Sequence, residues 1–279
     1  MTFQLRLAWL RAPLLVVVCA LFMFPVYWMV ATSLKTLSEV NTYPPTLLPR
    51  SPGFGSYVAV LEGMPFGSYL TNSLVVALVS TCGVVISSSL AAFAFAKLHF
   101  PGRDALFAVL LATLMLPEIV KLVPTFVLFQ RVGWINTLLP LTVPAFFGEA
   151  FSIFLLRQFM LRLPDELIEA ARIDGAREVR ILWSVVLPLT RPALVVVAIF
   201  AFQRAWNDFL WPLIVLQDER LRTATLGLYS LRSQPMLGTA YDQIMAATVM
   251  VSIPMLVLFV VFQRQFVSGI AVGGSAVKG

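Results

Sequence analysis

Charge is what this chain has least of. Asp, Glu, Lys and Arg make up 12% of its 279 residues, about half of what a soluble domain carries, and this shortage excludes an ordinary water-soluble globule. Histidine is reduced to one, His99, in a short loop beside Lys97 and Arg103; no Ser/His/Asp or Cys/His constellation is visible, and it reads as a surface residue, not a metal ligand or catalyst. The two cysteines, Cys19 and Cys82, lie inside apolar runs and read as small core residues, not as a disulfide framework. No Gly-x-x-x-x-Gly-Lys-Ser/Thr stretch exists, so the chain has no phosphate-cradling loop and cannot hydrolyse ATP by that route. The net charge of +6 is spread along the chain without a basic face, which excludes nucleic acid as a partner. No internal repeat of the kind that marks inverted-repeat transporters is visible.

What remains is apolar: 59% of residues are hydrophobic. A spanning helix needs roughly 20 mostly apolar residues, and six runs qualify, at 13–32, 69–97, 104–132, 136–156, 190–216 and 241–266. The fold expected is an all-α polytopic membrane protein, one domain over residues 1–279 in contact with lipid. The first run lacks a small-x-small cleavage site and is read as retained. Residues 33–67, rich in Pro, Gly, Ser and Thr, are expected to form a loop with little regular structure. The second run carries Ser87-Ser88-Ser89, Ala91-Ala92, Ala94 and Ala96, small residues that let helices approach closely, and belongs inside the bundle. Pro117 and Pro124 should kink or break the third. Six spans put both termini on one side. Of the 20 Lys and Arg, twelve fall on that side, six on the other, and Lys121 and Arg204 within spans, which makes the termini cytoplasmic.

One polar stretch interrupts this pattern, in the loop 157–189. Asp165 suits a helix start, Glu166 to Ile173 are helix formers, and Gly175 sits where a helix end needs positive φ. A second helix from about Ala176 to Val186 should end near Pro188. The pair forms a bracket whose first arm, two or three turns long, is too short to be stable alone and requires a docking partner.

Glu169-Ala170-Ala171, Asp174-Gly175 and, after the nine residues Ala176 to Ser184, Val185-Val186-Leu187-Pro188 resemble the EAA loop in permease subunits of ATP-driven (ABC) importers. The one departure is Val185 where isoleucine is usual. The resemblance implies that Glu169, Ala170, Ala171, Asp174 and Gly175 contact an ATPase subunit.

Two further groups bear on what is carried. Glu118 and Lys121 lie three apart on one helical face and could pair inside the bilayer, where ionisable groups are functional candidates. In the fifth run, Asn207 offers an amide, Asp208 a carboxylate, and Trp206 and Trp211 flat apolar faces, a mixture suited to a polyhydroxylated ligand, with an interfacial aromatic belt as the plainer alternative. Trp206 to Leu213 is similar to the fifth-span signature of carbohydrate importer permeases of the maltose-importer type. The ending Gly273-Gly274-Ser275-Ala276-Val277-Lys278-Gly279 resembles the tail of the same subunit. That likeness implies ATPase contact by Gly274, Val277, Lys278 and Gly279, and a substrate path including Glu118, Asn207, Asp208 and Trp211. It further implies a type I importer architecture, a second homologous permease, two ATPase subunits holding ATP and Mg, and an extracytoplasmic substrate-binding protein. This chain itself should bind no cofactor or metal and have no enzymatic activity. The expected function is uptake of a carbohydrate or related polyol across the cytoplasmic (inner) membrane of a prokaryote by alternating access. The rival reading is an ion-coupled secondary transporter of a small polar solute, with Glu118 or Asp208 as the titrating group.

Overall fold

In the computed structural model, residues 2–233 and 240–274 are described, with side chains over 13–233 and 240–263. Every regular element among them is helical. The chain divides into two compact units, one of Met1–Gly67 with Gly227–Pro254, the other of Ser68–Leu226 with Met255–Gly279.

The first unit begins with α1 (Thr2–Ser33), whose segment Pro13–Ser33 is long and apolar enough to cross a membrane. The stretch after it is more ordered than its composition suggests. It contains α2 (Leu37–Val40) and α3 (Gly55–Gly63), and α2 starts where the Thr36 hydroxyl accepts the Glu39 N–H at 3.4 Å. Buried polar side chains hold the loop: Lys35 donates to the Thr46 carbonyl and lies 4.7 Å over the Trp28 ring. Glu39 accepts from Thr46 Oγ1 at 3.0 Å and from Arg50 N at 2.8 Å. The Pro and Gly content misled the expectation because side-chain partners, invisible to local composition, satisfy this backbone.

In the second unit the central element is α4 (Phe66–Lys97). It is 39% buried over its most apolar window, against 6% for the first span, so the expectation that it lies inside the bundle holds. Ala77, Ser88 and Ala92 are fully buried on it. Next come α5 (Arg103–Ala112), a 3-10 turn Thr113–Met115, and α6 (Glu118–Arg131). The segments Arg103–Met115 and Glu118–Arg131 meet at 102°, far sharper than a proline kink. Leu116 is extended (ψ 115°), as a residue before proline prefers, and Pro117 then starts a new helix. Pro124 leaves α6 unbroken.

The fourth span is interrupted as well, into α7 (Leu139–Thr142), a 3-10 turn Val143–Phe147, and α8 (Ala150–Met160). Its breaks are repaired from α4 and from a tryptophan. Pro144 lacks the N–H that would reach Pro140 O, and Trp211 Nε1 donates there instead at 3.2 Å. The helical bond between Ala145 O and Glu149 N is replaced by two serines, Ser87 Oγ donating to Ala145 O at 3.1 Å and Ser88 Oγ accepting from Glu149 N at 3.5 Å. Ser80 Oγ serves Leu141 O at 2.9 Å. Such repair is obligatory where no water is available.

The bracket follows as α9 (Asp165–Ile173), then α10 (Glu178–Ile181), a π turn Leu182–Val186 and α11 (Leu187–Leu189). The second arm therefore runs through Pro188 to Leu189. The wider π turn just before the proline accommodates its ring and missing donor. After an 86° bend comes α12 (Arg191–Asn207). The fifth span ends at Asn207, not at residue 216: Asp208 is extended (ψ 128°), and α13 (Leu210–Val215) is a separate short helix. A 3-10 turn Glu219–Leu221 leads to α14 (Ala224–Ser233), and α15 (Tyr241–Gly274) closes the chain, eight residues longer than expected. Among the described residues, four helices are long and apolar enough to cross a membrane, and the count reaches six when each bent pair is taken as one span.

α4 packs tightly at Gly83, where a Cβ would lie 2.8 Å from the Phe146 ring and 3.1 Å from the Ala145 backbone. Gly83→Ala should therefore cost about 1–3 kcal/mol through overpacking. A fall in thermal midpoint of the detergent-solubilised protein measures it, and an unchanged midpoint would show that the α4 contact yields freely.

Candidate functional site

Two polar regions stand out in the second unit, one at the bracket and one at the end of α12. At the bracket, α9 is amphipathic. Ile168 is buried in a cluster that includes Ala92, Phe93 and Ala96 of α4 and Ile181 and Leu182 of the second arm. Glu166, Glu169, Ala170, Asp174 and Gly175 are exposed, Ala171 is half-buried, and Ile173 is 86% exposed. The first arm therefore offers acids and an isoleucine on its outer face. Its end is a Schellman motif: Ala176 N donates to Ala171 O and Gly175 N to Arg172 O, both at 3.0 Å, with Gly175 at φ +81°. Arg172 then bridges the turn with two bonds to Glu178, at 2.8 and 3.2 Å. That hydrogen bond and charge raise the Arg172 pKa.

The root of α9 is fixed differently. Lys97, buried at the last turn of α4, donates to Leu163 O at 2.7 Å and to Asp165 Oδ1 at 2.6 Å. This hydrogen bond, and then the lysine charge, lowers the pKa of the exposed Asp165 carboxyl. Arg157 Nε donates to Phe95 O at 3.2 Å, and its guanidinium lies 4.1 Å from the Phe107 ring centre. Sequence reading treated Lys97 only as a positive charge at a span end. Its partner lies 68 residues away, and no local pattern announces it.

At the other region, Phe151, Phe200, Gln203, Arg204 and Asn207 line an open cavity of about 470 Å³. Arg204 forms an ion pair with Glu149, whose other oxygen accepts from Ser152 Oγ at 2.6 Å. The Glu149 side chain is 19% exposed and that of Arg204 58%, so the cation faces the cavity and the anion backs it. Asn207 Nδ2 donates to Gln203 O at 2.9 Å. Phe151 and Phe200 meet edge to face, 6.2 Å apart.

The expected path residues divide. Asn207 lines the cavity. Asp208 lies next to it, but its Oδ1 accepts from Trp211 N at 3.3 Å and so holds the start of α13. Trp211 does not line the cavity; its indole N–H is committed to Pro140 O and its ring lies 5.9 Å from Phe129. Glu118 is exposed in the first turn of α6, close enough for its charge to act on Asp208, and forms no ion pair with Lys121 among the described residues. Glu149 was missed, although a lone carboxylate inside an apolar run is itself the signal. Gly274 is the last helical residue described, while Val277, Lys278 and Gly279 lie outside the described residues. Among the described residues no group of three or more His, Cys, Asp or Glu is placed to hold a metal ion.

Comparison with known proteins agrees with this architecture. A solved bacterial ABC transporter involved in the import of the acidic polysaccharide alginate superposes with a TM-score of 0.83 at 22% identity, covering 92% of this chain and 95% of its own. The sn-glycerol-3-phosphate transport system permease protein UgpE of Yersinia pestis is 36% identical over 92% of this chain and 93% of its own. The arabinooligosaccharides transport system permease protein AraQ of Halalkalibacterium halodurans is 32% identical over 98% and 97%. The model of the binding-protein-dependent transport system inner membrane component family matches residues 83–270, from the middle of α4 through the bracket and into α15. The chain belongs to that family of inner-membrane transport permeases.

Proposed function

We propose that this chain is one permease subunit of an ATP-driven importer that moves a carbohydrate or related polyol across the inner membrane by alternating access. The observation that carries the reading is α9: a short amphipathic helix docked on one face, stopped at Gly175, and presenting Glu169, Ala170 and Asp174 outward. Such a face suits a cleft on an ATPase subunit. Membership of a binding-protein-dependent family displaces the ion-coupled alternative, because the energy then comes from outside the chain.

On this reading a second, homologous permease completes the path, two ATPases hold ATP and Mg, and a binding protein delivers substrate on the face opposite the bracket. The tail Gly274, Val277, Lys278 and Gly279 contributes to the ATPase contact. The differential contact of α9 with the two ATPase states supplies the driving force, since only a differential interaction can shift a conformational equilibrium.

The cavity at Asn207 is this subunit's share of the path. Phe151 and Phe200 offer C–H-binding faces, Asn207 and Gln203 offer amides, and Arg204 offers a cation already balanced by Glu149. Glu118 and Asp208 lie at its approach. The relatives' named substrates, glycerol phosphate, arabinooligosaccharides and alginate, are polyhydroxylated, and two of them are anionic. Arg204 is the group here that separates anionic from neutral members of such a set.

Two outcomes test this. Glu169→Lys leaves the isolated chain's stability unchanged, since the side chain is exposed, but weakens co-purification with the ATPase and lowers coupled hydrolysis about tenfold or more, the scale of a misplaced interface charge. Gly175→Pro forces φ away from +81° and removes the bond to Arg172 O, so both assembly and stability fall. Intact assembly in both variants sinks the docking reading. Second, Arg204→Ala weakens transport of a glycerol phosphate by about ten- to hundredfold, as expected for a lost charge-assisted bond, while a neutral oligosaccharide loses less. Equal losses in the KM of reconstituted uptake would remove Arg204 as a discriminator.

A further inference from the structure

Three separate polar contacts attach distant parts of the second unit to one helix. At its bracket end, Lys97 grips Leu163 O and Asp165. In its middle, Ser80, Ser87 and Ser88 hold the broken fourth span down to Glu149, the carboxylate behind Arg204. At its far end, Asn72 Nδ2 donates to Arg220 O at 2.8 Å and Arg222 O at 3.1 Å, Ser73 Oγ accepts from Ala224 N at 2.8 Å, and Tyr69 OH donates to Glu219 at 3.1 Å. From Asn72 to Lys97 is about 38 Å at 1.5 Å per residue, and the stretch contains no proline. The other interior spans of this unit are broken or bent by more than 80°.

We propose that α4 is the shaft of the transport cycle, and that Lys97 is the positioning residue that locks it to α9. The proposal rests on the importer reading above and says how motion crosses the subunit. The covalent neighbours of α9 are the short segment 161–164 and the turn at Gly175, neither of which is a rigid element. Lys97 pins the first of these through Leu163 O and reaches the first turn of α9 directly through Asp165, so the root of α9 is tied to α4 without relying on either. It is a poor choice for mere membrane anchoring, because its side chain is 4% exposed and both its bonds go to the bracket. A displacement of α9 is carried by the lysine into a stiff helix. It then reaches the cavity through the serines, and residues 219–224 on the opposite face through Asn72 and Ser73. Segment 219–224 thereby reports to the bracket, and in the other direction a binding protein seated there would act on α9.

The test uses the assembled importer, reconstituted with its partner permease, its ATPases and its binding protein. ATP hydrolysis is measured with and without substrate-loaded binding protein. Lys97→Met keeps assembly and basal hydrolysis but loses stimulation by about fivefold or more, the lower range of allosteric coupling. Lys97→Arg, which retains donors to Leu163 O and Asp165, restores most of it. Asn72→Ala reduces stimulation too, and the double variant is no worse than the weaker single one, because both act on one path. Full stimulation in assembled Lys97→Met overturns the shaft, and so do multiplying losses in the double variant. If Lys97→Met fails to assemble, Lys97→Arg and Asn72→Ala decide: normal coupling in Asn72→Ala overturns it. A wild-type chain that recruits no ATPase refutes the importer reading instead, and that result is distinguishable because no variant is involved.

Discussion

Backbone groups in a hydrocarbon interior must find partners within the protein, since each unsatisfied one costs several kcal/mol or so. This protein meets that demand with interrupted helices, and much of its second unit follows from how the interruptions are repaired. Pro144 removes the donor for Pro140 O, and the break of the fourth span leaves Leu141 O and Ala145 O without their helical partners; all three are met from elsewhere in the fold. Pro140 O takes the indole N–H of Trp211, and Leu141 O and Ala145 O take hydroxyls from α4. Serine is the economical choice on α4: it bonds its own helix through the preceding turn and reaches across without widening the gap between helices. Ser87 does both, donating to Gly83 O at 2.7 Å and to Ala145 O at 3.1 Å.

The same breaks place the charged groups. Because the helix stops at Gly148 (φ +89°) and restarts at Ala150, Glu149 emerges at the start of α8, within reach of Arg204 and Ser152. An unpaired carboxylate or guanidinium at this depth is costly, and pairing lowers the cost without consuming the guanidinium. Nη1 engages Glu149, while the side chain stays more than half exposed to the cavity. A cation held in place by an anion behind it keeps its remaining donors toward the cavity. The aromatic pair Phe151 and Phe200 supplies the apolar wall that polyhydroxylated molecules also need.

How much of this could be read from residues alone depends on the range of the interaction. Local signals served well: the start of α9 at Asp165, its stop at Gly175, the break at Pro117, the small-residue face of α4 and the membrane class all rest on neighbours within a turn or two. Long-range ones did not. Trp211 resembled a ligand-binding aromatic because its role depends on a carbonyl 71 residues away. Asp208 resembled a path residue, yet it holds the first turn of α13, and the fifth span accordingly ends before it. Residues 33–67 read as irregular because Lys35 and Glu39, which organise them, are charged residues that composition assigns to the surface.

The two ends of α9 differ in a way that bears on how force enters the fold. At the Gly175 end, the Arg172–Glu178 pair has both side chains about 40% exposed, and exposed pairs contribute about 0.2–1 kcal/mol. That end can give. At the root, Asp165 is also exposed, so its share in the contact is screened by solvent, but Lys97 is not: its ammonium is enclosed and bound to Leu163 O besides. Moving the root away from α4 would strand a buried charge, whereas opening the turn would only solvate a surface pair. On the importer reading proposed above, a load on α9 would swing the helix about its root and meet little resistance at the turn. The stiff connection leads into α4, a long interior helix without a break, and the soft one into the bent second arm. On that reading, the direction of transmission is set by which charges are dry.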